Sequence, residues 1–363
     1  MASPEGTSRF RKRHEGKTIT PGHYREFDGL HLSTLGMGTY LGDMDKNTDE
    51  LVTRAVIDSI TTGSVNVIDT AINYRNQKAE RSVGRGLDHL FSEKIVDRDE
   101  IFVSTKNGYL SPDADLDLDP QTYIYEKLIK PGIIDPDQVV DSAHCMSRSF
   151  LTDQLDRSLS NLGLKKIDLI YIHNSAESQL PRVGREEFLS RLRTVFQLYE
   201  EERSRGRIAY YGLATWSCFR VEPGAPDYLN LEDIVKLASE VGGPENGFKF
   251  VQLPYNLAMV EALELRNQKV QEETLTFLQA AIKLKIGIFT SVPLMQGRLL
   301  NETIDIEGIS SRSLACLQFV RSSPGVLAPM VGQKNPEHVK ENLALAEIPP
   351  YNPEQFKSNF GKR

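Results

Sequence analysis

The sequence is sparing with cysteine and tryptophan and has no long apolar run. Its three cysteines among 363 residues, Cys145, Cys218 and Cys316, are odd in number and scattered, with no CxxC pair. That excludes a disulfide-stapled secreted scaffold and points to a reducing compartment. No stretch approaches the roughly 18 uninterrupted apolar residues of a membrane span. The opening MASPEGTSRFRKRHEGK is basic and polar, without the apolar core of a secretory signal. An excess of positive charge is also missing: 43 Lys and Arg against 50 Asp and Glu leave a formal net charge of -7. A general binder of nucleic acid or of anionic membrane is thereby disfavoured. What remains is a globular protein, expected in the cytoplasm, large enough for two ordinary cores or one closed α/β unit.

What is present is alternation. Residues 1–20 are expected as a disordered or extended tail. YREFDGLHLS reads as a hairpin about Asp28-Gly29, a type I′ signal. STLGMGTY, VNVIDTA, IFVSTK, IDLIYIH, RIAYYGLAT, FKFVQLPYN, IGIFTSVPL and VLAPMVG are strand candidates, each followed by a helical pattern. The first helix has Asn47 or Thr48 as N-cap, the sixth runs across Asn267 to Lys285, and the seventh is SRSLACLQFVRS from Ser311. Eight such pairs predict a single (β/α)8 TIM barrel over 21–363 with an N-terminal β-hairpin closing one end. One long insertion, 107–147, follows the third strand and is expected over the active face.

Reactive groups in such barrels come from the C-terminal ends of several strands. The second strand ends in Asp69 with Tyr74 just beyond, the third in Lys106, and the fourth in His173. A buried carboxylate needs a cationic partner, and Lys106 is the expected one. An ammonium held close stabilises a phenolate, which would make Tyr74 a usable general acid near neutral pH, while His173 orients a substrate carbonyl. Any one of these residues alone is an ordinary satisfied polar group; four at consecutive strand ends are harder to obtain by accident. At the eighth strand, MVGQKNPEHVKENL sets Gly332 at a strand end, Lys334 beside it, Asn335 as N-cap and Pro336 at the first helical position. A helix N-terminus with a cation is a phosphate site.

VIDTAINY, STK and YIH together resemble the Asp, Tyr, Lys and His tetrad of the aldo-keto reductase superfamily, with further likeness in AERSVGRGL, GRIAYYGLA and VQLPYN. The resemblance implies NADPH-dependent reduction of an aldehyde or ketone, or the reverse oxidation, with Tyr74 as proton donor and Lys106, Asp69 and His173 in support. It implies that Lys334 meets the 2′-phosphate of NADP, that His338 and Asn342 contact adenine, and that Gln252 bonds the nicotinamide carboxamide. It places further cofactor contacts at Gly38, Thr39, Tyr40, Asn174, Thr215, Pro293, Leu294, Gln296, Gly297 and Gly332. Tyr40, Tyr109 and Trp216 are expected as walls of the substrate pocket.

Three departures stand out: Ala214-Thr215 where Ser-Asn is frequent, Val292 where a serine is frequent, and Arg75 directly after the tyrosine. Arg75 is read either as a cation favouring an anionic substrate or as the partner of a local acid. GMGTYLG has the spacing GxGxxxG and is read as the first barrel loop. No pair of ligands at metal spacing accompanies His144-Cys145. Two other readings are a cofactor-bound sensor or regulatory subunit of the same fold and, more weakly, a metal-assisted barrel hydrolase.

Overall fold

The computed structural model of the chain describes residues 1–302, 306, 309 and 311–361. Lys362 and Arg363 lie outside the described residues, and the seventh helical pattern is observed as the helix Arg312–Ser322 capped by Ser311. Eight parallel strands close into a barrel: β1 (Gly36–Gly38), β2 (Val67–Asp69), β3 (Phe102–Asn107), β4 (Ile167–His173), β5 (Ile208–Ala214), β6 (Phe248–Pro254), β7 (Gly287–Ser291) and β8 (Val326–Gly332), with β8 pairing β1. The expected (β/α)8 fold is thus the observed one. Strands buried on both faces must be continuously apolar, which is why runs such as IDLIYIH announced themselves.

Side chains from several strands fill the barrel, among them Val67, Phe102, Leu169, Tyr171, Phe250 and Phe289. The expected hairpin, Tyr24–Phe27 with Leu30–Ser33, covers the floor and adds Leu30 and Leu32 to this inner cluster. Asp28 (φ 50) and Gly29 (φ 78) supply the two left-handed residues of its turn.

Three local expectations are corrected. The N-terminal 20 residues are not a loose tail, because Pro4–His14 is a helix capped by Ser3 and its Phe10 is fully buried. Gly6 lets it approach so closely that a Cβ there would stand 2.2 Å from the Asp99 carbonyl oxygen. Arg9 and Arg13 donate to the buried Glu100 carboxylate at 3.1 and 2.6 Å. The basic stretch was uninterpretable alone because its counter-charges lie some 90 residues away in sequence. The stretch from Asn267 begins as a hairpin, Gln268–Val270 with Glu273–Leu275, and becomes a helix only over Phe277–Leu284, where Thr276 and Gln279 form a capping box. The cap of the first barrel helix, Lys46–Thr61, is Asp45; Asn47 and Thr48 lie inside the helix.

The segment after β3 carries a short helix at Pro120–Ile124, a π turn at Tyr125–Ile129 and the paired strands Val139–Val140 and His144–Cys145. A helix unread in the sequence, Ser175–Val183, follows β4. Among the described residues no helix is long and apolar enough to cross a membrane.

Candidate active site

Asp69 closes β2 opposite Ser104, and Lys106 lies opposite Tyr171 of β4. The Lys106 ammonium donates to Asp69 Oδ2 at 2.5 Å and to the Thr70 carbonyl at 2.9 Å, while Asp69 Oδ1 accepts the Ser104 hydroxyl at 2.7 Å. Lys106 is 0% and Asp69 3% exposed, so the burial of each is offset by the pairing between them. Burial pulls the lysine pKa down, but Asp69 and Tyr74 outweigh it and hold the ammonium above its ordinary value.

Lys106 Nζ lies 4.7 Å from the centre of the Tyr74 ring. That ring meets Tyr40 edge-on at 5.0 Å and His173 at 5.9 Å. Burial raises the phenol more than Lys106 lowers it, and Asp69 adds to the rise, so Tyr74 stands above its ordinary pKa. The expectation that the lysine brings the phenol down is corrected: the hydroxyl keeps its proton, and the nearby ammonium becomes favourable once that proton leaves.

His173 is held well below its ordinary pKa by burial, with Lys106 and His144 adding to the effect, so it is a neutral hydrogen-bonding group. Its backbone is anchored by a chain that sequence reasoning missed. Arg191 donates to Gln179 Oε1 at 2.8 Å, which turns the Gln179 amide nitrogen toward His144 Nδ1 at 3.0 Å. His144 Nε2 therefore carries the proton and donates to the His173 carbonyl at 2.8 Å. Only long-range contacts reveal such partners, as with Ser104 behind Asp69.

These groups face a cleft of about 950 Å³ running to the N-terminus of helix Pro336–Leu343. Gly38, Thr39, Tyr40, Asn174, Thr215, Gln252, Pro293, Leu294, Gln296, Gly297, Gly332, Lys334 and His338 line it, together with Tyr74, His173, Tyr109 and Trp216. Leu51, Val52, Asn73 and Gln333 also line it and were not singled out in the sequence. Lys106 stands behind Tyr74 and does not line the cleft.

Asn342 departs from its expected place: it is 2% exposed, and its amide donates to Gln333 Oε1 at 3.2 Å. It supports the helix from inside. The Thr215 hydroxyl is turned to the Gln252 carbonyl at 3.3 Å. Gln252 Nε2, by contrast, is buried with no partner among the described residues. A backbone held open by left-handed Val292, Met295, Gln296 and Gly297 follows β7. Asn335 caps the last cleft-facing helix by accepting from Glu337 N at 2.9 Å, with Pro336 at its first position.

Of the two readings of Arg75, the partner of a local acid is the one observed. It does not face the cleft; it turns toward the first barrel helix and pairs with Asp49 at 2.5 Å. The backbone behind it is costly: Arg75, Asn76 and Gln77 have φ of 50, 49 and 75, and a left-handed non-glycine residue costs on the order of 1–2 kcal/mol.

A closed parallel barrel with a buried ammonium–carboxylate pair behind a rim phenol, beside a neutral imidazole and at one end of a long cleft, is an acid–base site with room for a large second ligand. Residues 34–313 match the sequence model of the Aldo/keto reductase family, and the chain belongs to that family of oxidoreductases. It is 24% identical over 348 residues to a putative voltage-gated potassium channel subunit beta of Schizosaccharomyces pombe, covering 88% of this chain and 86% of that protein. It is 29% identical over 142 residues to the aldo-keto reductase AMT2 of Alternaria alternata, covering 38% of this chain and 36% of that protein's length. Among solved structures it superimposes on an aldo-keto reductase of Bacillus halodurans in its holo form (18% identity, 92% of this chain and 94% of that one, TM-score 0.60). A Klebsiella pneumoniae aldo-keto reductase in complex with NADPH compares similarly (19%, 94% and 95%, TM-score 0.59).

Proposed function

We propose that this protein reduces an aldehyde or ketone to an alcohol, or oxidises the alcohol, using NADP(H). The observation that carries the reading is Tyr74 packed against the buried Lys106–Asp69 pair at the inner end of the cleft. The residues present suit a dinucleotide: Gln252 offers an unpartnered buried amide at the inner end, and Lys334 sits beside a helix N-terminus at the outer end. NADPH, when bound, supplies the hydride. Tyr74 holds the proton that the substrate oxygen needs, Lys106 stabilises the phenolate left behind, Asp69 keeps Lys106 charged, and His173 orients the oxygen.

The substrate in this reading is uncharged near its carbonyl. Lys334 is the one lysine or arginine among the described cleft-lining residues, and it stands at the outer end; Arg75 is consumed by Asp49. Tyr40, Tyr109 and Trp216 would contact the substrate as aromatic walls. The setting we assign is the cytoplasm.

Tyr74→Phe tests the assignment. NADPH affinity should stay within about two-fold while kcat for reduction falls by about 10²- to 10⁴-fold, the usual worth of a general acid. An undiminished rate would remove Tyr74 from the reaction. The similarity to a channel-subunit protein favours a second reading, a cofactor-bound sensor. Steady turnover across an aldehyde panel would reject it.

A further inference from the structure

The loop over the cleft, residues 39–45, has little packing of its own: Tyr40, Leu41 and Met44 are 53%, 48% and 56% exposed. Its backbone is nevertheless held in place from below. Arg75, whose side chain is 1% exposed, donates through Nε to the Asp43 carbonyl at 2.8 Å. Through Nη2 it donates to the Asp45 carbonyl at 3.4 Å and to Asp49 Oδ1 at 2.5 Å. Gly42 lies against the same side chain; a Cβ there would stand 3.5 Å from Arg75 Cδ and 2.6 Å from Thr48 Cγ2, with φ at +144. The residue doing this fastening directly follows Tyr74 and begins the left-handed turn 75–77. That turn is held on its other side, where Asn76 O accepts from Ala114 N at 3.1 Å and Gln77 Nε2 donates to the Tyr123 hydroxyl at 3.2 Å. Tyr40 of the loop in turn packs on the Tyr74 ring.

We propose that Arg75 is a positioning residue for proton transfer: it fastens the strained turn behind Tyr74 to the cleft loop, so that the phenol and the Tyr40 wall are set as one unit. The inference rests on the reading of Tyr74 as proton donor. A planar guanidinium can serve a carboxylate and two carbonyls at once; a lysine at this position could not reproduce that fork.

The test measures kcat, NADPH affinity and the solvent isotope effect in Arg75→Met and Arg75→Lys, each with and without Tyr74→Phe. Arg75→Met should lower kcat by about 10- to 100-fold, the scale of an ångström-sized misplacement, and raise the solvent isotope effect. Arg75→Lys should fall between it and wild type. Added to Tyr74→Phe, Arg75→Met should cost less than about two-fold more, because neighbours acting through one step are not additive. Should Arg75→Met fail to fold, Asp49→Asn keeps the helix and both backbone contacts and should show the same non-additivity with a smaller drop. An unchanged kcat overturns the proposal, as does an equal loss with and without the Tyr74 hydroxyl. If Tyr74→Phe itself keeps the full rate, the functional reading fails; if it loses the rate and Arg75→Met does not, only this inference fails.

Discussion

Glu100 at the barrel floor and Asp69 at its rim are both carboxylates buried beside cations, yet they are closed off in different ways. Glu100 accepts from Arg9, from Arg13 and from the Asp97 backbone at 2.9 Å, and both arginines reach solvent, with side chains 44% and 38% exposed. Asp168, also at the floor, accepts from Val103 N and Arg98 at 2.8 and 2.7 Å. At the rim the counter-ion is a lysine with no exposure at all, and the group next to it is a phenol in a cleft. Buried ion pairs occur at both ends, so burial and pairing do not by themselves mark function. What marks it is a pair beside a cleft whose lining residues keep hydrogen-bonding capacity unspent, as Gln252 at Nε2 and His173 at Nδ1 do among the described residues.

Neutralising each acid should separate the two ends most strongly. Asp69→Asn leaves Lys106 uncompensated, so we expect a loss of about 3–5 kcal/mol in stability, together with a fall in kcat on the order of 10²-fold through the weakened proton donor. Glu100→Gln should cost only about 1.5–3 kcal/mol, since its partners stay solvated, and leave kcat within two-fold. Urea unfolding and steady-state reduction on the folded samples check both. A folded Glu100→Gln protein that has lost its rate would break the contrast.

The rim was legible from sequence and the floor largely was not, for a physical reason. Strands that must be apolar along their length expose any polar residue at their ends, so Asp69, Lys106 and His173 were visible as interruptions, and the Asp28-Gly29 turn was fixed by its need for two left-handed residues. The helix Pro4–His14 gave no comparable signal: it buries a single aromatic, and its arginines take their meaning from acids far along the chain. Side-chain direction was equally hidden. Arg75 was visible as a cation beside Tyr74, but the left-handed backbone that swings it toward Asp49 was not; nor was the inward turn of Asn342.

A third expected effect concerns both ends at once. Burial pushes His144 near the rim down to about 4 and His23 near the floor down to about 3. Unfolded, each takes up a proton as pH falls through about 6.5, whereas the folded protein does not until far lower. Stability from both neutral rings is therefore full above that value and lost progressively below it, by about 4 kcal/mol in total at pH 5. Unfolding free energies at pH 7, 6 and 5 check this. A flat profile would mean that His144 can be charged in place, and the hydrogen-bond direction that anchors the His173 carbonyl would have to be reassigned. Reduction by the folded protein should show no inflection near pH 6.5, since His173 stays neutral there, and should decline only above pH 10, where the raised Tyr74 finally loses its proton.

The smallest effect sharpens the contrast at a single atom. Gln252 Nε2 is buried without a partner among the described residues, which costs stability unless a ligand repairs it. Gln252→Ala should therefore leave the melting temperature of the free protein unchanged or slightly higher, and weaken NADPH binding by about 10-fold, the worth of one hydrogen bond of about 1.4 kcal/mol. A floor glutamine offers the control. Gln318 is fully buried, accepts Arg321 Nε at 2.6 Å and donates to the Pro349 carbonyl at 2.8 Å; Gln318→Ala should lower the melting temperature and leave NADPH affinity alone. Isothermal titration and thermal melts on the two variants read both quantities. If Gln252→Ala melts lower and binds NADPH as tightly as wild type, its amide belongs to the core, and the inner end of the cleft must recognise its ligand by other groups.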